Sequence, residues 1–240
     1  SSIDTTAAAA LELLRRWDCS MDRDLVAPTI YIGLRKQLVA RVAEVLFADQ
    51  AELVVGDTIP GGSAHERLIE LEITLALESG ENDLLPPCDS WDQTLRNCFA
   101  AALKELRQRL GEDPGEWHWG RVHRTTPRHP LSRWLSDEFT CQLDPPSLAV
   151  HGDGDTPLAS GFTHNTFSAC TMSVNRYVHD PSDWSRSLWI VPLGASGHPA
   201  SHHYADQAQL WADVEYIPQL WKKADIEERA ETTQLLEPRQ

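Results

Sequence analysis

SWDQTLRNCFAAALKELRQRLG, residues 90–111, marks the end of the helical part of the chain. Its first four residues have the form of a capping box, in which the Ser90 hydroxyl accepts an N–H from the first turn. Gly111 stands where a helix commonly ends in a C-terminal cap. Between these caps, apolar residues recur with a helical period at Leu95, Phe99, Leu103, Leu106 and Leu110. The stretch therefore predicts an amphipathic helix.

Toward the N-terminus, the helical pattern continues. Asp4–Trp17 and Ile32–Phe47 carry apolar residues at helical spacing. A second capping box, from Ser63 to Glu66, opens a further helix. The apolar face of that helix is expected to include Leu68, Leu71 and Leu75. Residues 1–113 are thus predicted to be mainly helical.

Toward the C-terminus, the pattern changes after Pro114, where Pro, Gly, Thr and Trp interrupt any helical period. Short apolar or alternating runs predict strands at Ser147–His151, Thr166–Val174 and Ser187–Val191. Helical spacing returns in the segments Tyr204–Trp211 and Asp225–Leu236. The predicted fold class is α+β, with a helical first half, a mainly β region over 114–202 and two C-terminal helices within 203–240.

A sheet of a few short strands has edges that must be paired or covered. The sequence shows no obvious linker, so residues 1–240 are treated as one unit. We therefore expect another segment, beyond these residues, to supply part of the core and to complete the sheet.

The charge balance bears on the class of partner. Lys and Arg number 21 against 36 Asp and Glu, which gives a formal net charge of −15, and no basic stripe stands out. Nucleic acid would be repelled overall. No run approaches the roughly 18 apolar residues that suggest a membrane span. We expect neither a nucleic-acid nor a membrane partner.

Cysteines and histidines are not spaced as metal ligands. The five cysteines include no CxxC pair, which favours mostly buried thiols, although a Cys88–Cys98 pair stays open for an exported protein. His118 and His123 do not have helical ligand spacing, and the adjacent His202 and His203 would face opposite sides of a strand. The sequence therefore predicts no metal and no cofactor in this stretch.

Asp153 and Asp155 stand between glycines and are partly similar to a calcium loop, but the full D-x-D-x-D-G spacing is missing. A tight turn, in which the Asp side chains accept backbone N–H groups, is the simpler interpretation. The tryptophans also have two interpretations. Trp117, Trp119 and Trp134 either line an apolar pocket or pack in the core.

Four patterns, in order along the second half, resemble one known family. The most specific is GASGHPASHHYADQ, residues 194–207, followed by Trp211, although Ala195 and His202 stand where glutamine and proline are usual. The others are WHWGRVH (117–123) with HPL (129–131), HGDGDT (151–156), and SVNR (173–176) with Asp180, Asp183 and Trp184. Together they resemble the penicillin amidase (penicillin acylase) family of N-terminal nucleophile hydrolases.

The resemblance implies a position in a larger protein. Members of the family have a four-layer αββα core and are cut into an α and a β chain. The new N-terminal serine of the β chain attacks the amide carbonyl, with its own α-amine as base. The patterns found here belong to the C-terminal part of the β chain. The family's nucleophile, oxyanion hole and calcium ligands precede this region, so no catalytic or metal residue is carried over.

Two serines are nevertheless candidate nucleophiles on chemical grounds. Ser1 would have an α-amine able to accept its hydroxyl proton, but the following residues lead into an Ala-rich helix and not into a buried strand. Ser196 can be written into a triad with His198 and Asp206, but its loop lacks the G-x-S-x-G elbow. The alternative for this loop is a sharp turn that leads into the next helix, with Ser201 as its cap.

Three functions stay open. The first is a C-terminal β-chain part of an amidohydrolase that cleaves N-acyl amides, such as β-lactam side-chain amides or acyl-homoserine lactones. This part would provide packing and pocket wall, and its partners would be the remaining α and β segments and an N-acyl substrate. The second is a non-catalytic binding or structural domain derived from the same fold. The third is a self-contained serine hydrolase that uses Ser1 or Ser196.

The resemblance also implies a location and a cofactor for the complete enzyme. By family habit, we expect the protein in the periplasm or outside the cell. We also expect the complete enzyme to bind calcium at residues other than these.

Overall fold

The computed structural model describes residues 5–55, 64–162 and 165–238. The chain forms two compact units, Ser1–Met172 and Ser173–Gln240. The division falls at residues 172 and 173, where the sequence carries no linker that would reveal it. No helix in the described segments is both long and apolar enough to cross a membrane.

Most of the first unit is helical. Its helices are α1 (Thr5–Arg15), α2 (Ala27–Phe47), α3 (Ala51–Val55), α4 (Ala64–Ser79), α5 (Trp91–Leu110), α6 (Trp119–Val122) and α7 (Asp137–Leu143), with 3-10 turns at Ala48–Gln50, Pro114–Glu116 and Ser132–Trp134.

The second unit combines a small sheet with two helices. Its elements are β1 (Arg176–Val178), a 3-10 turn at Trp184–Arg186, β2 (Leu188–Ile190), α8 (Ala208–Ala212), β3 (Ile217–Pro218) and α9 (Lys223–Arg229). The strands pair antiparallel in the order β1-β2-β3, with Tyr177 opposite Trp189 and Trp189 opposite Ile217. The α+β class predicted from the sequence is confirmed.

Helix α5 forms as its sequence predicts. The Ser90 hydroxyl accepts the N–H of Gln93 at 3.3 Å. Gly111 ends the helix at a φ of +102° and donates its N–H to the Arg107 carbonyl. The buried face includes Leu103 and Leu106. The local signals of capping and period agree with one another here, which is why the sequence is sufficient.

Helix α2 packs along α5 and begins at Ala27, earlier than the predicted Ile32. Pro28 suits the first turn of a helix because its missing N–H is not needed there. At the contact with α5, a Cβ added to Gly33 would lie 3.2 Å from Leu106 Cδ1. The small residue therefore allows the two helices to approach closely.

Two apolar clusters fill the first unit. One lies around the start of α2 and the end of α5, and its largest members are Trp117, Trp119, Phe167, Ile30 and Ile32. The other lies between the C-terminal half of α2 and helices α3 and α4, and includes Leu38, Val42, Ile69, Ile73 and Trp91.

The predicted face of α4 is wrong. Leu68, Leu71 and Leu75 are 58%, 52% and 50% exposed, whereas Ile69, Ile73 and Ala76 are buried. Apolar residues follow a helical period along both rows, and the period alone does not tell which row meets the core. Ser63, the proposed cap of this helix, lies outside the described residues.

Two of the three predicted strands are also wrong. β2 falls inside Ser187–Val191 as predicted, but Ser147–His151 and Thr166–Val174 take part only in isolated bridges, at Ala149 and Ala169. Val150, Phe167 and Ala169 are buried nevertheless. Short apolar runs can be buried by packing alone, without a strand ladder. Residues 114–172 therefore contain α6 and α7 where the sequence pattern favours strands.

The last two helices are shorter than predicted. Residues 201–207 form turns, with the Tyr204 N–H bonded to the Ser201 carbonyl, so α8 begins at Ala208. Helix α9 ends at Arg229, and Leu235 and Leu236 beyond it are exposed. Ser201 is not the cap of α8, because Gln207 holds that position without a side-chain bond.

All five cysteines are free thiols, so the Cys88–Cys98 pair is not formed. Only Cys98 is buried, and Cys19, Cys88 and Cys141 are exposed. The expectation of mostly buried thiols is therefore wrong. Cys19 and Cys88 both have positive φ, at 66° and 76°, which places them in turns and not in packed elements.

Candidate functional site

An open groove of about 710 Å3 lies in the first unit, between α2, α4 and the turn at residues 153–156. Its walls are mainly apolar and include Leu34, Leu38, Val39, Leu71 and Leu77. Charged side chains stand along one side, namely Arg35, Arg67, Glu70, Asp153 and Asp155. An apolar groove with a few convergent polar groups is a common form of binding site.

Arg35 is the centre of the charged side of the groove. Its guanidinium pairs with Glu70 and lies 4.0 Å from an Asp153 oxygen and 3.9 Å from an Asp155 oxygen. Burial acts to lower the pKa of Arg35, but the attraction of Glu70 and the other neighbours outweighs it, and the pKa is raised. The partly buried cation is therefore matched by carboxylates on α4 and on the turn.

The turn that presents Asp153 depends on Gly152, whose φ is +84°. A Cβ at this position would lie 2.0 Å from the Leu158 carbonyl oxygen. The Asp153 carboxylate accepts the N–H of Asp155 at 2.8 Å, and the Thr156 hydroxyl accepts the N–H of Asp153 at 2.9 Å. These bonds match the tight-turn interpretation of HGDGDT.

Calcium does not fit this turn. The Asp153 carboxylate already binds a backbone N–H and faces the Arg35 guanidinium, and Asp155 faces both Arg35 and Arg67. A calcium ion needs six or more oxygen ligands, by general coordination chemistry, and guanidinium groups beside it would repel it. We therefore assign these carboxylates to the arginines.

His123, from the first of the four family-like patterns, is a buried structural residue. Its Nδ1 lies 2.9 Å from the Phe167 carbonyl oxygen, its Nε2 lies 3.0 Å from the Ser160 hydroxyl, and its ring stacks on Trp119 at 4.4 Å. Burial lowers its pKa to about 4, although the bond to Phe167 acts in the opposite direction. The imidazole is therefore neutral near pH 7.

The tryptophans divide between core and surface. Trp117 and Trp119 have no exposed surface and donate their indole N–H groups to the carbonyls of Gly111 and Gly152. Trp134 is 65% exposed and lies under the Arg133 guanidinium. None of the three lines the groove of the first unit, so packing is the interpretation that fits Trp117 and Trp119.

The two candidate nucleophiles have different outcomes. Ser1 lies outside the described residues. The Ser196 hydroxyl accepts the N–H of His198 at 3.2 Å, and the Ser196 N–H bonds to the His203 carbonyl. Asp206, the third member of the possible triad, lies 2.8 Å from His203 Nδ1 and so pairs with His203. These bonds hold the loop in shape.

His202 and His203 lie close together, contrary to the expectation that they face opposite ways. They occupy a turn and not a strand, and their ring centroids are 3.9 Å apart. The Nε2 atoms of both rings lie 3.2 Å from the same Glu231 carboxylate oxygen. The bond to Asp206, and then that to Glu231, raises the pKa of His203, and the bond from His203 lowers the pKa of Glu231.

The sequence does not single out Glu70 and Glu231, the carboxylates of these two clusters. Glu70 is 35 residues from Arg35, and Glu231 is 28 residues from His203. Neither residue carries a local sequence signal: Glu70 lies between Ile69 and Leu71, and Glu231 precedes a short polar run. Such pairs become visible only when the fold brings distant segments together.

The sequence profile of the family described as penicillin amidase matches residues 2–228. The chain belongs to the penicillin amidase family. The resemblance found in the four patterns is therefore confirmed, and it extends over the helical first half as well.

Two proteins that are similar in sequence to this chain are named as acylases. The penicillin acylase 2 proenzyme of Pseudomonas sp. (strain SE83) is 32% identical over 228 residues, which are 95% of this chain and 28% of the proenzyme. The acyl-homoserine lactone acylase QuiP of Pseudomonas syringae pv. tomato (strain ATCC BAA-871 / DC3000) is 31% identical over 126 residues, which are 51% of this chain and 15% of that protein.

A solved structure of a penicillin acylase has a fold similar to that of this chain. The thermostable penicillin G acylase from Alcaligenes faecalis matches with a TM-score of 0.53 at 18% identity, over 100% of this chain and 44% of that one. The chain thus spans less than half the length of each of these penicillin amidase relatives.

Proposed function

We propose that this chain is part of an amidohydrolase that cleaves N-acyl amides, and that catalytic residues in other segments of the same enzyme perform the reaction. The observation that carries the proposal is the match to the penicillin amidase family over residues 2–228. The named relatives are acylases, and this chain corresponds to 28% of the proenzyme's length. The remaining α and β segments would be its partners.

The local geometry supports a structural and pocket-forming role. The family-like patterns are used in buried hydrogen bonds and turns: His123 binds Phe167 and Ser160, and Asp153 binds its own turn. The apolar groove beside Arg35 is open and has leucines on its wall. Such a wall suits the apolar part of an acyl substrate or apolar residues of a neighbouring segment.

The test compares the complete enzyme with the 240-residue chain on a chromogenic phenylacetyl anilide. We expect the complete enzyme to release the amine and the chain alone to release none. Turnover by the chain alone would overturn the proposal. Binding without turnover by the complete protein would favour the alternative, a non-catalytic domain of the same fold.

A second comparison concerns Ser196. Replacing Ser196 by Ala in the complete enzyme should leave turnover within about twofold, because the hydroxyl accepts a bond within its own loop. A loss of several orders of magnitude, with an unchanged melting temperature, would identify Ser196 as a nucleophile.

We also propose that the complete enzyme acts in the periplasm or outside the cell and that any calcium it holds is bound by other residues. The support is family membership, together with the pairing of Asp153 and Asp155 with arginines. Fractionation of cells and calcium analysis of a D153N variant would test the two statements. Loss of bound calcium in D153N would contradict the second.

A further inference from the structure

His202, His203 and Glu231 form a compact group of metal-ligating atoms in the second unit. Two imidazole nitrogens and a carboxylate oxygen all lie within 4.8 Å of one another. The two histidines come from the turn before α8, and Glu231 follows α9. We propose that this group binds a Zn2+ ion, with His202 Nε2, His203 Nε2 and a Glu231 oxygen as its three protein ligands.

The two distances from the histidine nitrogens to Glu231 suit a zinc ion. His202 Nε2 and His203 Nε2 each lie 3.2 Å from Glu231 Oε2. Ligands that bind a tetrahedral Zn2+ at about 2.0–2.1 Å lie about 3.3–3.4 Å from one another. Both nitrogen–oxygen distances are therefore nearly those between corners of a tetrahedron around zinc, and the two nitrogens lie within 4.8 Å of each other.

Asp206 gives His203 the orientation that a zinc ligand requires. Its carboxylate lies 2.8 Å from His203 Nδ1, so Asp206 can accept the Nδ1 proton while Nε2 binds the ion. A carboxylate behind a ligating histidine fixes the tautomer and strengthens the ligand.

The loop is built to bring these groups together. A Cβ at Gly194 would lie 2.1 Å from the His203 carbonyl oxygen and 2.6 Å from an Asp206 carboxylate oxygen. The same His203 carbonyl accepts the N–H of Ser196 at 3.0 Å. Glycine at 194 thus permits a backbone approach that holds both His203 and Asp206 in place.

Charge and ligand type favour zinc over calcium or magnesium. With neutral imidazoles, Glu231 and Asp206 give the cluster two negative charges, which a divalent ion would balance. Imidazole nitrogen is a typical zinc ligand, whereas calcium and magnesium prefer oxygen. His203 and Asp206 also line an open cavity, so water can complete the coordination. The ion would join the segment after α9 to the turn before α8.

The test is titration of the intact, chelator-treated protein with Zn2+ by calorimetry, with Ca2+ as the comparison ion. We expect the wild type to bind one equivalent of Zn2+ more than a H202A/E231Q double variant does. The single variants H202A and E231Q should each raise the dissociation constant of this Zn2+ ion by at least about tenfold. D206N should raise it by about 10- to 100-fold. The H198A variant is the matched control, because His198 lies in the same loop but outside the cluster.

His202 and Glu231 are 73% and 59% exposed, so their variants should fold with the melting temperature of the metal-free wild type. Absorption of the Co2+-loaded protein provides a second measurement, because four-coordinate Co2+ absorbs visible light strongly. Equal Zn2+ binding by wild type and double variant, or preference of the site for Ca2+, would overturn the proposal. If H198A were the only variant to lose the additional Zn2+ ion, the site would lie elsewhere, and the proposal would be overturned as well.

Discussion

His123 shows how a single buried residue makes the stability of the fold depend on pH. Its pKa is about 4 in the folded chain, against an ordinary value of 6.5. Between these values the unfolded chain binds a proton and the folded chain does not. Its contribution is therefore complete above about pH 6.5 and is lost as the pH falls toward 4, by roughly 3 kcal/mol in total.

We expect the H123Q variant to be less stable than the wild type at pH 7, since it loses the stacking on Trp119. Its free energy of unfolding should fall less steeply between pH 6.5 and 4.5. Urea unfolding of both proteins at several pH values measures this difference and cancels the contribution of other groups. Parallel pH profiles would show that His123 is not responsible.

Gly152 shapes the turn that places Asp153 beside the Arg35 groove. An Ala here would have to adopt a φ of +84° with its Cβ 2.0 Å from the Leu158 carbonyl oxygen. We expect G152A to cost at least about 2 kcal/mol of stability, because both backbone strain and a clash with main chain must be relieved.

Two other glycines allow the effect of backbone strain to be measured apart from the effect of the clash. Gly80 has a φ of +76° and no atom within 4 Å of an added Cβ, so G80A should cost about 1 kcal/mol from strain alone. Gly197 has neither feature, and G197A should stay within about 0.5 kcal/mol. Thermal unfolding of the three variants would rank them, and a G152A as mild as G80A would contradict the clash.

At the scale of elements, Ser90 and Ser136 form a matched pair of helix caps. Ser90 accepts the N–H of Gln93, whereas Ser136 precedes α7 without any side-chain cap bond. We expect S90A to cost about 1 kcal/mol and S136A less than about 0.5 kcal/mol. Denaturant unfolding would measure both, and equal effects would mean that the 3.3 Å contact of Ser90 contributes nothing.

What the sequence could predict about the elements depends on whether the signal is local. Ser90 and Gly111 carry local capping chemistry, and both ends of α5 were predicted correctly. The buried face of α4 could not be predicted from the sequence. Leu71 and Ile73 both belong to apolar rows, and only the position of α2 decides which row is buried. Val150 and Phe167 are buried by packing without a ladder, so their short runs indicated strands that are absent from the described residues around them.

The same distinction between local signals and long-range contacts applies to the sites. The turn at Asp153 was predictable because an Asp that bonds the N–H two residues on is a property of the local sequence. The pairing of Arg35 with Glu70 and of His203 with Glu231 was not, since each joins residues far apart in the chain. The family patterns identified the family, but they gave no indication of these pairs.

At the scale of the whole molecule, the proposed function predicts that the exposed leucines of α4 are covered in the complete enzyme. Leu71 and Leu75 are about half exposed on the outer row of the helix, and Leu71 also lines the groove. On the proposed function, the remaining acylase segments pack on this row. A leucine side chain that becomes fully buried contributes about 1.5–3 kcal/mol.

The substitution L75S should therefore have two different effects. In the 240-residue chain it should lower the free energy of unfolding by about 1 kcal/mol, because the side chain is 50% exposed and its buried half is lost. In the complete enzyme it should destabilise by about 2–3 kcal/mol, since the burial of both halves would be lost. E72A is the control on the same helix, because Glu72 is exposed and polar and should have little effect in either protein. Chemical unfolding of both proteins measures the difference. If L75S is as mild in the complete enzyme as in the chain, then this row faces solvent in both, and the surface that meets the other segments lies elsewhere.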